Sequence, residues 1–174
     1  MHMQPSREDL IELTSLNPFD RFPDGRPRVS DDLLERMKLV TIEEAWAVLK
    51  HHGYNRQFEG GFLQTHPGVV LVGRAVTASF LPQRPDYHNA IQQAGVNEGR
   101  GKIGGQNSWI IEQLQLGDVM VVDMNGKIED GTIVGDNLGT AIRTRTRAGL
   151  VVDGAVRDLP GLEPLTDVNF FVRG

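Results

Sequence analysis

The side chains best suited to chemistry in this sequence are Asp136 and an adjacent pair, Arg157 and Asp158. The planar guanidinium group of Arg157 can contact a carboxylate at two points. Asp158 supplies a hard oxygen ligand of the type that Mg²⁺ uses, usually together with several retained waters. Taken alone, an Arg–Asp pair is more often a surface ion pair or a helix cap than a functional site.

The segment around Asp136 has the features of an anion site. Its sequence predicts a strand end, a sharp turn at Gly135 and a helix start, with Asn137 and Leu138 in the first turn. Exposed N–H groups at a helix N-terminus, favoured by the helix dipole, suit a carboxylate or an enolate oxygen. The alternative is that Asp136 simply caps the helix.

Residues 69–172 alternate between apolar strands and helices, which predicts an α/β layered fold. Arg157 and Asp158 follow a buried strand through a glycine turn, where α/β proteins commonly place active-site groups. The turn Asn125–Gly126 predicts a hairpin. The predicted strands are 69–80, 119–123, 127–134, 149–153 and 168–172, and the predicted helices are 86–95, 107–116 and 137–147.

The first fifty residues read as helical. Ser6 begins one helix, Ser30 can cap a second over 31–39, and a third is predicted over 43–52. Thr41 and Glu44 have the spacing of a capping box. Further along, Gly99 to Gly104 matches the dinucleotide pattern G-x-G-x-x-G, but a predicted helix precedes it where the motif requires a strand. We interpret it as a loop.

Asp136 is followed by twenty residues and then Arg157 and Asp158, a D-x20-R-D signature with which the sequence resembles the RraA-like family. The flanking segments GDVMVVD, GDNLGTA and LVVDGAVRD agree with that family, as does the helix VTIEEA that contains Glu44. The resemblance implies an α/β fold of the swivelling β/β/α type over residues 41–174, with an N-terminal helical extension over 1–40. Family members continue beyond the position of Gly174, so the domain is expected to be truncated at its C-terminus.

The resemblance also implies an activity: a lyase dependent on Mg²⁺ or Mn²⁺ that cleaves or decarboxylates a pyruvate-type oxo-acid. The implied substrates are of the 4-hydroxy-4-methyl-2-oxoglutarate or oxaloacetate kind, and both reactions pass through a pyruvate enolate. Asp158 would hold the metal, and Arg157 would contact the keto or carboxylate oxygens. The backbone of residues 135–138 would cradle the pyruvyl carboxylate, while Asp136 and Glu44 would position metal-bound waters. For Glu44 the capping box with Thr41 is an equally good explanation. The resemblance implies a homo-oligomer, a trimer or larger.

Other chemistries and functions fit the sequence less well. A Schiff-base aldolase needs a lysine at a strand end, and none of Lys38, Lys50, Lys102 and Lys127 is predicted there. The adjacent His51 and His52 diverge on a helix and make a poor metal site. Some relatives regulate ribonucleases by binding them, which stays open as a non-catalytic alternative. Others are labelled menaquinone methyltransferases, but no glycine-rich cofactor loop supports methyl transfer.

The composition limits the class of protein. The 174 residues suit one domain, and a net charge of −5 argues against nucleic-acid binding, with Arg143, Arg145 and Arg147 as a local exception. The absence of cysteine excludes disulfides and thiolate chemistry. We find neither a signal peptide nor an apolar stretch long enough to cross a bilayer. We therefore expect a cytoplasmic protein without a membrane partner.

Overall fold

The computed structural model describes residues 4–174, so the first three residues of the predicted extension lie outside the described residues. The described residues form seven helices and one five-stranded sheet, which confirms the predicted α/β class. The helices are α1 (Arg7–Leu13), α2 (Asp31–Met37), α3 (Ile42–His51), α4 (Pro85–Asn97), α5 (Gln106–Ile111), α6 (Asp136–Thr146) and α7 (Leu159–Leu162). The strands are β1 (Leu63–Gln64), β2 (Arg74–Ser79), β3 (Asp118–Val134), β4 (Gly149–Val156) and β5 (Asn169–Val172). None of these helices is long and apolar enough to span a membrane.

The predicted N-caps of the first three helices all form. The hydroxyl of Ser6 accepts the Asp9 N–H at 3.1 Å, and that of Ser30 accepts the Leu33 N–H at 3.3 Å. A side-chain oxygen that accepts a first-turn N–H satisfies a donor that the helix itself leaves unpaired. Yet α1, α2 and α3 bury none of their residues. Local capping, more than packing, therefore defines where these helices begin.

The sheet has the order β1-β5-β4-β3-β2, with β2 to β5 parallel and β1 antiparallel at one edge. β3, β4 and β5 each lie beside the strand that precedes them in the chain. Since crossovers between parallel strands are right-handed, a sheet that grows in one direction places its connecting helices on one face. The hydrophobic core lies under that face and joins Ile111, Ile142 and Leu162 of α5, α6 and α7 to strand residues such as Leu150 and Phe170.

Two sequence predictions about the strands were wrong. The predicted strand 69–80 is regular only over β2, and residues 69–73 lie in a loop. The Asn125–Gly126 hairpin does not form, although both residues have the positive φ that such a turn needs, 56° and 64°. Instead β3 continues parallel to β4 through register shifts between Asp123 and Val134. The Asn-Gly sequence thus predicts the local backbone angles correctly. The course of the chain after this turn follows from the pairing of β3 with β4.

Two other regions follow the sequence more closely. The glycines between Gly99 and Gly104 lie in turns between α4 and α5, so the dinucleotide-like motif follows a helix, as predicted. The strand predicted to end at 153 extends to Val156. Arg157 and Asp158 therefore come directly after the last residue of β4.

Residues 20–31 attach the N-terminal helices to the end of the sheet at which β2 and β3 begin. The Arg26 guanidinium contacts the fully buried carboxylate of Asp118 at 3.2 Å. Arg74 of β2 donates to the Val29 carbonyl at 2.8 Å and pairs with Asp31. Because the strands are parallel, this attachment lies at their amino-terminal ends. The residues that follow β3 and β4 lie at the opposite, carboxyl ends.

Candidate functional site

Asp136 lies at the junction of β3 and α6. Val134, the last residue of β3, pairs with Val156 of β4, and Gly135 is the N-cap of α6. The Gly135 carbonyl accepts the Gly139 N–H at 2.8 Å, the first hydrogen bond of the helix. Asp136 is the first helical residue, not the cap, and its carboxylate accepts the Asn137 N–H at 2.7 Å. The Asp136 carboxylate therefore already accepts one of the backbone N–H groups that the sequence predicted would be available to an anion.

Arg157 and Asp158 lie at the junction of β4 and α7. The Arg157 N–H donates to the Val134 carbonyl at 3.0 Å, which continues the pairing of the two strands. Asp158 has φ of 59° in the left-handed region, where aspartate is tolerated better than most residues, and precedes α7. The Arg157 Nε lies 3.4 Å from Asp158 Oδ2, and their side chains are 67% and 52% exposed.

The two junctions touch each other. A Cβ placed on Gly135 would lie 2.3 Å from Asp158 Oδ2 and 3.1 Å from Arg157 Nε, so only a glycine permits this approach. On the other side, a Cβ on Gly161 of α7 would lie 2.4 Å from the Asp136 Cβ. The structure therefore brings together Asp136, Arg157 and Asp158, which the sequence separates by twenty residues.

This arrangement can bind a small anion and place two carboxylates beside it. An exposed ion pair such as Arg157–Asp158 contributes only about 0–1 kcal/mol to stability, so both side chains can exchange their mutual contact for a ligand at little cost. The N-terminus of α6 adds the positive end of a helix dipole. An oxo-acid has the carboxylate and carbonyl oxygens that such a site would orient.

The chemistry of the donor set limits which metal site these residues can form. Among residues 4–174 no group of three or more His, Asp or Glu side chains gathers in a way that could hold a metal ion. Asp158, with Asp136 close by, fits the pattern of Mg²⁺ sites in which one or two carboxylates act with water and substrate oxygens. It does not fit a cage made by protein side chains alone.

Glu44 is not part of this group within the described chain. Its carboxylate accepts the Thr41 N–H at 2.9 Å, and its own N–H donates to the Thr41 hydroxyl at 3.2 Å. The capping box that the sequence suggested is therefore present on an exposed helix start. The role of Glu44 in a neighbouring subunit stays a prediction.

Sequence reasoning missed Gly161 and the short helix that carries it. The signal was available, because Pro160 sits just inside the start of α7, a position that proline favours. Sequence reasoning also missed Asn107 of α5, whose side-chain amide donates to the Ile133 carbonyl at 2.8 Å. No local pattern could have identified that contact, because it joins two elements 26 residues apart.

Comparisons with known proteins give the same family that the sequence resembles. A family model described as RraA-like, Aldolase/RraA, matches residues 27–174. Protein DlpA of Legionella pneumophila is 32% identical over 123 residues, which cover 67% of this chain and 17% of DlpA. The crystal structure of Streptomyces coelicolor RraAS2, an unusual member of the RNase ES inhibitor RraA protein family, superposes with a TM-score of 0.62 at 26% identity. That match covers 84% of this chain and 64% of RraAS2.

A protein from Pseudomonas syringae pv. tomato shares the fold alone, with a TM-score of 0.59 at 22% identity over 90% of this chain and 60% of its own. The chain thus spans less than two thirds of each of these two solved structures and a much smaller part of DlpA. Since the family model covers most of the sequence and the D-x20-R-D residues meet at one site, this chain belongs to the RraA-like family, which includes both aldolase-type enzymes and inhibitors of ribonucleases.

Proposed function

We propose that this chain carries the site of a divalent-metal-dependent lyase that cleaves or decarboxylates a pyruvate-type oxo-acid. The observation that supports this most directly is the contact between the Gly135–Asp136 junction and the Arg157–Asp158 pair. The family to which the chain belongs includes aldolases, which agrees with the proposal.

In this proposal, the residues of the chain bind and orient the substrate. Arg157 holds a carboxylate or keto oxygen through two N–H groups of its guanidinium, and the backbone of residues 135–138 cradles the pyruvyl carboxylate. The Asn137 N–H takes part once the Asp136 carboxylate releases it. Asp158 is the residue that would hold Mg²⁺ or Mn²⁺, with Asp136 beside it. When bound, the cation would polarise the keto group and stabilise the enolate charge that both reactions develop. Preorganised positive potential from Arg157 and the α6 N-terminus adds to this effect.

The exposure of the site supports a further part of the proposal, that the working form is a homo-oligomer, a trimer or hexamer. Arg157 and Asp158 are more than half exposed, and the apolar side chains of α3 are largely uncovered, including Ile42 (63%) and Val48 (60%). A neighbouring subunit that covers these surfaces would exclude water from the site and could bring Glu44 to it. Light scattering on the purified chain at several concentrations measures the mass directly, and a monomer throughout would contradict this part.

Pyruvate release tests the lyase proposal. Oxaloacetate and 4-hydroxy-4-methyl-2-oxoglutarate are offered separately with Mg²⁺, with Mn²⁺ or with EDTA. The variants are Asp158→Ala and a matched control, Asp167→Ala. Asp167 also forms an ion pair with an arginine, and its side chain is 54% exposed, against 52% for Asp158. We expect metal-dependent turnover that falls about 100-fold or more in Asp158→Ala, in line with the loss of a group that stabilises the transition state. Asp167→Ala should stay within about twofold, since exposed ion pairs contribute little.

A folded and metal-loaded protein without turnover on either substrate, or with undiminished turnover in Asp158→Ala, would contradict the proposal. The second candidate function, a non-catalytic regulator that binds a ribonuclease, is supported by the likeness to RraAS2. Binding to an RNase ES-type partner that Asp158→Ala leaves unchanged would favour this candidate, because a binding surface does not need that carboxylate.

A further inference from the structure

A separate cavity lies at the carboxyl end of β2, outside the group formed by Asp136, Arg157 and Asp158. Its volume is about 770 Å³, within the range of small-molecule sites. It exists because β2 ends at Ser79, paired with Asp123, whereas β3 continues for another eleven residues to Val134. The irregular part of β3 therefore has no β2 residue beside it, and α4 and α5 enclose the gap.

One part of the cavity wall is apolar. Its members are Phe80, which follows β2, Met124 of β3, Tyr87 and Ile91 of α4, and Ile110 of α5. Three of these, Phe80, Ile110 and Met124, also pack against the hydrophobic core, which holds that part of the wall in place. A wall of this kind favours the aromatic or branched body of a small ligand.

The charged residues around the cavity are mostly basic, although the whole chain carries a net charge of −5. Arg84, Arg100 and Lys127 line it, with Asp130 as the one acidic residue among its described lining. Arg84 is paired with Asp86 at 2.7 Å and Arg100 with Glu98 at 3.3 Å. Lys127 differs, because no carboxylate of residues 4–174 lies within ion-pair distance of its ammonium group. Lys127 is thus the one basic residue of the lining without an ion-pair partner among the described residues, and Asp130, three residues further along β3, is likewise in no ion pair.

Polar groups of α4 and α5 lie on the same lining. The Gln106 amide approaches His88 Nδ1 at 3.4 Å. In the tautomer in which Nδ1 accepts this contact, Nε2–H is left to donate to a ligand. Asn107 is held by the Ile133 carbonyl at 2.8 Å, which fixes α5 against the irregular part of β3. The donors thus sit on ordered elements.

We propose that this cavity binds a small carboxylate with an aromatic or branched apolar body. The carboxylate meets the Lys127 ammonium group, and the body packs against Phe80 and Ile91. Parallel sheets commonly bind ligands beyond the carboxyl ends of their strands, and this cavity occupies that position beside β2. The inference is independent of the lyase proposal, since it uses none of the residues assigned to that site.

Benzoate is the probe, with benzamide as its neutral counterpart and acetate as a carboxylate without the apolar body. Each is titrated into the ¹⁵N-labelled full chain, and binding is followed by amide chemical shifts. We expect benzoate to bind with a dissociation constant in about the millimolar range, as suits so small a ligand. The shifts should concentrate on α4, α5 and residues 124–133. Benzamide and acetate should each bind at least about fivefold more weakly.

Lys127→Met should weaken benzoate binding at least about fivefold, and since Lys127 is exposed, the variant should fold normally. Lys38→Met is the control, because Lys38 directly follows α2, lies outside the cavity lining and pairs with Glu35; it should leave the affinity unchanged. Asp158→Ala should also leave it unchanged. Benzoate binding that is absent, equal to that of benzamide, insensitive to Lys127→Met or lost in Asp158→Ala would overturn the proposal.

Discussion

The N-terminal region, residues 4–52, and the sheet region, residues 63–174, are held together in different ways. The three helices of the N-terminal region bury no residue, and most of their side chains are exposed. In the sheet region, α5, α6 and α7 pack buried side chains against four parallel strands. Capping hydrogen bonds and a few ion pairs therefore define the first region, and apolar burial defines the second. The candidate site uses only the second, where neighbouring strand ends are placed rigidly.

The largest difference between the regions should appear on truncating an apolar side chain. Phe170 is fully buried in the sheet region, and Leu16 of the N-terminal region is 88% exposed. Phe170→Ala should lower the free energy of unfolding by about 3–5 kcal/mol, the cost of a large cavity in a packed core. Leu16→Ala should change it by less than about 0.5 kcal/mol. Urea denaturation measures both, and similar effects of the two substitutions would remove the contrast.

A methyl group added at Gly161 should have the next largest effect. It would lie 2.4 Å from the Asp136 Cβ, so α7 must move away from the start of α6. We expect a loss of about 1–3 kcal/mol in unfolding free energy, typical of overpacking, together with lower turnover if the lyase proposal holds. Gly60→Ala is the control, because a methyl group there would meet only the Phe58 ring at 3.6 Å. An unchanged Gly161→Ala protein would mean that the two junctions are not tightly coupled.

The attachment between the two regions can be tested at Arg26. Arg26→Met leaves the fully buried Asp118 carboxylate without its cation, although the Gln115 N–H still donates to it at 2.9 Å. We expect destabilisation by about 1–3 kcal/mol and faster proteolysis of residues 4–52. Arg28→Met is matched, because both guanidinium groups lie over the Phe22 ring, at 5.3 Å and 5.7 Å. If Arg28→Met has the larger effect, contact with Phe22 rather than the ion pair holds the region.

The smallest effect is expected at the start of α3, where two explanations of Glu44 can be separated. Thr41→Ala removes the hydroxyl cap and should destabilise α3 locally by about 1 kcal/mol, seen as faster amide hydrogen exchange. Glu44→Gln should leave the exchange nearly unchanged, because glutamine also closes a capping box. Reduced turnover in Glu44→Gln with normal exchange would support a role of the carboxylate in a neighbouring site. Equal turnover in both variants and the parent would leave Glu44 as a cap only.

Features that depend on a few neighbouring residues could be predicted from the sequence. The caps at Ser6, Ser30 and Thr41 each involve a hydroxyl and an N–H three residues away, so spacing alone is enough. The alternation of apolar strands and helices predicted the α/β class. The D-x20-R-D spacing, through its resemblance to a family, also indicated which residues to expect at one site.

Features that depend on which distant segments meet could not be predicted in this way. The Asn125–Gly126 turn has its expected backbone angles, but parallel pairing with β4 overrides the hairpin. The approach of Gly161 to Asp136 arises where α7 packs on α6. The hydrogen bond from Asn107 to Ile133 joins α5 to β3, and the cavity beside β2 is lined by α4 and α5. By itself, then, the sequence determined where most of the helices begin, because capping signals are local, and its D-x20-R-D pattern indicated which residues to expect at one site. Only the tertiary structure decided strand register and the distances between functional groups, because side-chain packing across the sheet sets both.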